Sequence, residues 1–141
     1  MVMKLRKMLK NERGLTLVEL LAVIVILGII AAIAVPSIGG IIDKTKEDAK
    51  VAEAIQIINA AKLAHASDSE ITQWKHDADN SVTPAYGGLK EYLSNVDDVD
   101  YIVKYSNGIY TISGHDSAKV VNASYKNKKA VPESELLEVA K

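Results

Sequence analysis

Glu12-Arg13-Gly14-Leu15-Thr16-Leu17-Val18-Glu19-Leu20-Leu21 opens an apolar stretch that runs through residue 42 with no further charge. A basic leader meets a glycine, and four residues after Leu15 a single acid interrupts the apolar run. The stretch exceeds the ~20 residues that a helix needs to cross a bilayer. A carboxylate inside such a helix costs roughly 2.5–3.5 kcal/mol at the bilayer centre and less near its edge. An acid kept at that cost usually has a partner charge.

Working outward, the leader carries Lys4, Arg6, Lys7, Lys10 and Arg13 against Glu12 alone. The whole chain has 17 bases and 18 acids, so 12 bases and 17 acids remain beyond the leader, a net charge of −5. Positive charge before an apolar segment holds that end on the cytoplasmic side, leaving the acidic remainder outside. An acidic body disfavours a nucleic-acid-binding surface. The absence of Cys excludes disulfides, thiolate metal sites and a cysteine nucleophile.

Two ordinary readings of the N-terminal segment are a plain single-pass anchor and a secretory signal peptide cut after Ala32-Ile33-Ala34. Neither accounts for Glu19. Residues Gly14-Leu15-Thr16-Leu17-Val18-Glu19-Leu20-Leu21, the apolar run 22–34 and Pro36 resemble the type IV pilin family, pseudopilins included. The resemblance covers about the first third of the chain. It implies that a prepilin peptidase cuts between Gly14 and Leu15 and that the new Leu15 amine is methylated. The family most often has Phe at that first mature position, where this chain has Leu15. The resemblance also implies that Glu19 pairs with the terminal amine of a neighbouring subunit as a filament grows. Other pilin subunits, an inner-membrane assembly platform and, before assembly, membrane lipid would be the partners. The chain would begin as a single-pass membrane protein and end in a surface or extracellular filament. The missing cysteines would suit a Gram-positive cell.

The chemistry of the motif supports those roles. Gly14 has no side chain, so a peptidase can approach its backbone closely. Cleavage would leave a cationic amine at the start of a helix, with Glu19 in its first turns, where an acid offsets the helix dipole by ~0.3–1 kcal/mol. Gly28 and Pro36 weaken the helix by about 1 and 3 kcal/mol. They read either as a tolerated kink or as a flexible section that unwinds on assembly.

Beyond residue 42 the pattern becomes amphipathic. Val51, Ile55 and Ile58 recur at helical spacing beside Ala54 and Ala61, among charges that read as solvated faces. One continuous helix is expected over residues 15–65, roughly 75 Å long. A short helix is expected from Ser67 through Ile71 and Trp74, and another over 89–94. Residues 99–105 and 109–113 read as strands around Asn107-Gly108, a type I′ hairpin signal. This register pairs Tyr105 with Tyr110 and Val103 with Ile112 on one face. A third strand is expected over 119–125 and a final helix from Pro132 and Glu133 through Val139. The expected fold is α+β: a long N-terminal helix with a small antiparallel sheet head. The chain divides into a leader (1–14), a transmembrane or filament-core helix (15–42) and a head with its amphipathic helix (43–141).

Other candidate chemistry is thin. His65, His76 and His115 have no metal spacing. Asp97, Asp98 and Asp100 offer oxygen ligands for Ca²⁺ but lack a calcium-loop pattern and read as a solvated loop. Tyr125-Lys126-Asn127-Lys128-Lys129 mixes basic and aromatic residues as DNA contact requires, yet reads first as a solvated turn. Asn122-Ala123-Ser124 is a formal glycosylation sequon. No catalytic triad, phosphate loop or dinucleotide motif is visible, so neither enzyme activity nor a cofactor is expected. The rival of a different class is a membrane-anchored or secreted binding domain.

Overall fold

The computed structural model describes residues 2–82, 84–126 and 129–141, with side chains from Leu15 onward. Helix α1 spans Val2–Ser67 and contains Pro36. The chain separates into two compact units, Met1–Asp43 and Lys44–Lys141. In the first, from Leu15 onward, apolar side chains cover every side of the helix, and nearly all are exposed. A helix apolar all round needs lipid or other helices about it.

In the second unit, α1 buries Val51, Ala54, Ile57, Ile58, Ala61 and Ala64, while Ile55 is only half-buried. The helix ends where Asp68 N–H donates to the Ala64 carbonyl (3.0 Å) and the Ser67 hydroxyl to the Leu63 carbonyl (3.2 Å). Several charges expected on a solvated face make tertiary contacts instead. Lys50 lies 3.5 Å from Asp116 and Lys62 2.5 Å from Glu133.

Against this helix lies a five-stranded sheet of β1 (Gln73–Lys75), β2 (Gly87–Gly88), β3 (Ile102–Ser106), β4 (Ile109–Ser113) and β5 (Val131–Pro132), ordered β2-β1-β3-β4-β5. The β3–β4 hairpin has the expected register, Tyr105 opposite Tyr110 and Val103 opposite Ile112. Asn107 (φ 52°) and Gly108 (φ 83°) supply the two positive dihedrals of the turn. Val103 and Ile112 are fully buried, and Tyr105 and Tyr110 pack at the core's edge.

The α+β plan is observed, with five local corrections. The sheet is mixed, because β1 and β2 are parallel. The segment holding Trp74 is a strand, not a helix: Trp74 pairs with Val103 on one side and Gly87 on the other. Burial between two strands favours an aromatic residue at this position. Residues 119–125 form no strand. Ser117–Val121 is helix α2, closed by Asn122 N–H donating to the Ala118 carbonyl (3.1 Å), and the chain then turns. The ladder beside β4 is taken instead by Val131, opposite Ile112. Finally, the helix expected over 89–94 shrinks to a 3-10 turn, Lys90–Tyr92, behind a buried Leu89. Strand β3 starts at Ile102 rather than residue 99. Helix α3, Glu133–Val139, closes the chain and buries Leu136.

Candidate processing and assembly site

Gly14, Leu15 and Glu19 all lie within α1. Gly14 is helical in backbone, and its side-chain surroundings lie outside the described residues. Leu15 and Glu19 are four residues apart, so they share one helix face about a turn apart. Leu15, Leu17, Val18 and Leu20 are 59–67% exposed, which leaves Glu19 as an acid set among open apolar side chains. Gly28 and Pro36 lie farther along the same helix, and no neighbour crowds Gly28. From Leu15 onward this helix is long and apolar enough to cross a membrane, by length and composition.

The three histidines stand in three different settings. His65 Nδ1 is 2.7 Å from the Tyr110 hydroxyl. His76 packs edge-on to the Tyr101 ring. His115 is buried near Glu53. Among the described residues no three His, Asp or Glu side chains are placed so that they could hold one metal ion.

The aspartates of the acidic loop do gather, with partners distant in the chain. Glu53, Asp97, Asp98, Asp100, His115 and Asp116 line one cavity of about 430 Å³. Glu53 accepts the backbone N–H groups of Asp97 (2.7 Å) and Asp98 (3.2 Å). Asp98 accepts those of Asp100 and Asp116, both at 3.1 Å. These carboxylates hold the backbone rather than stand open to a cation. Burial pushes the His115 pKa down, against the opposing pull of Asp98, Glu53 and Asp116. Burial also pushes the Tyr101 hydroxyl pKa well up, with the charges of Asp77, Glu53 and Asp98 adding to it. Glu53 and His115 are 62 positions apart, and no local pattern links them.

In the basic-aromatic turn, Lys129 Nζ stands 4.8 Å over the Tyr125 ring, while Asn127 and Lys128 lie outside the described residues. The sequon is a tight turn, with Asn122 Oδ1 accepting from the Ser124 N–H (2.9 Å) and hydroxyl (2.7 Å).

Comparison with curated proteins and with solved structures gave no match. The family model described as the prokaryotic N-terminal methylation motif matches residues 9–35, which contain Gly14, Leu15, Glu19 and Gly28. With a long N-terminal helix and an α+β head, that match supports a type IV pilin-like precursor, a structural subunit rather than an enzyme, with the helix as a candidate membrane anchor.

Proposed function

We propose that this chain is the precursor of a pilus subunit, cut after Gly14, methylated at Leu15 and polymerised through its N-terminal helix. The observation that carries the reading is the methylation motif laid over an exposed apolar helix with one acid near its processed end. Residues 1–14 act as the leader, 15–42 as membrane anchor and then filament core, and 43–141 as the head with its amphipathic helix. A prepilin peptidase recognises the Gly14–Leu15 bond, and an assembly platform in the membrane draws mature subunits from lipid into the fibre.

Glu19 neutralises the Leu15 amine of the neighbouring copy, so that two charges leave water or lipid headgroups together. Within lipid the helices associate by close packing and by this polar pair, because apolar burial adds little there. Gly28 and Pro36 permit the helix to bend or unwind as copies pack. A pilus role is preferred to DNA uptake because the chain beyond the leader is net acidic. A secretion pseudopilin would use the same mechanism.

Immunogold electron microscopy of cells producing the chain with a C-terminal epitope tests the role. Labelled fibres on the surface are expected. Label confined to the membrane, with processing intact, would contradict a pilus subunit.

A further inference from the structure

The acidic loop and the start of α2 are both tied to α1 through Glu53. One carboxylate oxygen, Oε1, holds the N–H groups of Asp97 and Asp98. The other, Oε2, stands 3.8 Å from His115 Nε2. His115 is 1% exposed, and its Nε2 has no hydrogen-bond partner. Across the ring, Nδ1 accepts the Ser117 N–H at 3.1 Å and lies 2.9 Å from the Ser117 hydroxyl.

An imidazole nitrogen that accepts a hydrogen bond carries no proton, so neutral His115 bears its hydrogen on Nε2, the side nearer Glu53. A second proton has one place to go, Nδ1. There it faces the N–H of Ser117, which is itself fully buried. An acceptor becomes a donor opposite a donor. The Ser117 hydroxyl can accept the new Nδ1–H, but the backbone N–H is left without a partner, which is costly in a buried site.

The charged groups around the ring come from three segments. Helix α1 supplies Glu53 and Lys50, the acidic loop supplies Asp97, Asp98 and Asp100, and the histidine's own turn supplies Asp116. Tyr101 lies beside the same carboxylates. The charges of Asp98, Glu53 and Asp116 favour the imidazolium and Lys50 opposes it, but burial exceeds their effect.

We propose that Glu53, His115 and Ser117 form an acid-sensitive latch that fixes the loop 97–100 and the start of α2 to α1. When His115 takes up a proton, the Ser117 bond breaks. The imidazolium draws Glu53 in from 3.8 Å, and the longer of the two loop bonds, to Asp98, gives way first. The sign follows from the downward shift at His115. Its contribution to stability is full above the ordinary histidine pKa of about 6.5 and is lost as pH falls through the lower folded-state pKa. The latch is independent of the filament reading.

The test is nitrogen-15 NMR on the full chain in detergent micelles, with amide protection factors read from about pH 7.5 to about pH 5. The Nε2–H tautomer is expected at the upper end. As His115 protonates, protection at Ser117 and Asp98 should fall about tenfold, while Val103 and Ile112 keep theirs. His115→Gln should remove the step. Glu53→Gln, which deletes a charge favouring the imidazolium, should move its midpoint to lower pH. An Nδ1–H tautomer, or constant protection at Ser117 through the His115 titration, would overturn the latch. So would an unshifted midpoint in Glu53→Gln or the same step in His115→Gln.

Discussion

Glu19→Ala is expected to be processed normally and to abolish filament assembly. The substitution lies beyond the Gly14–Leu15 bond, so the peptidase still meets its glycine and leader. Membrane insertion should improve, because removing a carboxylate from an apolar helix relieves up to ~2.5–3.5 kcal/mol. A fall in filament yield would therefore not reflect loss of the precursor. In the fibre the neighbour's Leu15 amine would be buried without a counter-charge, at about 3–5 kcal/mol per subunit. That is roughly two to more than three orders of magnitude in each addition step. Immunoblots of the membrane and sheared-surface fractions should show mature subunit in the first and none in the second. Glu19→Gln keeps the shape and removes the charge, so it should fail as well. Filaments at normal yield from either variant would remove Glu19 from the assembly mechanism.

Trp74→Ala should bring the largest loss of head stability. Trp74 is 1% exposed in a three-residue strand, and its ring lies 5.4 Å from that of His65 and 6.2 Å from that of Tyr110. Gly87 backs the indole so closely that a Cβ there would stand 2.5 Å from its Cδ1. Gly87 itself has no side chain that could move in to fill the space. Truncating a buried Trp costs about 3–5 kcal/mol, against a typical total of ~5–15 kcal/mol for a domain. At ~4–8 °C per kcal/mol for a head of this size, the melting temperature should drop by on the order of 12–40 °C. Differential scanning calorimetry of the full chain in detergent measures this without relying on tryptophan fluorescence. A loss under about 1 kcal/mol would be inconsistent with Trp74 anchoring the core.

The parts of the fold legible in the sequence are those set by neighbouring residues. The uncharged run after Glu19 and the apolar spacing after residue 50 mark the helix, and Asn107-Gly108 sets a register that the structure reproduces. What escaped notice depends on distant partners. Strands β1, β2 and β5 are two or three residues long: β1 and β5 add to the free edges of β3 and β4, and β2 adds to β1. The strand expected over 119–125 contains Val120 and Val121, yet a helix that buries Ser117 and Ala118 takes precedence over β-branched propensity. The same division holds for the sites. Gly14, Leu15 and Glu19 are proposed from one contiguous stretch of sequence, which the methylation-motif model covers. The convergence of Glu53 and His115 on the acidic loop appears only once the chain is folded.

Mass spectrometry of the mature N-terminus tests the central claim most directly. The account predicts a chain of residues 15–141 that begins with N-methyl-Leu15. A chain that begins at Val35, or one that retains the leader, would contradict it.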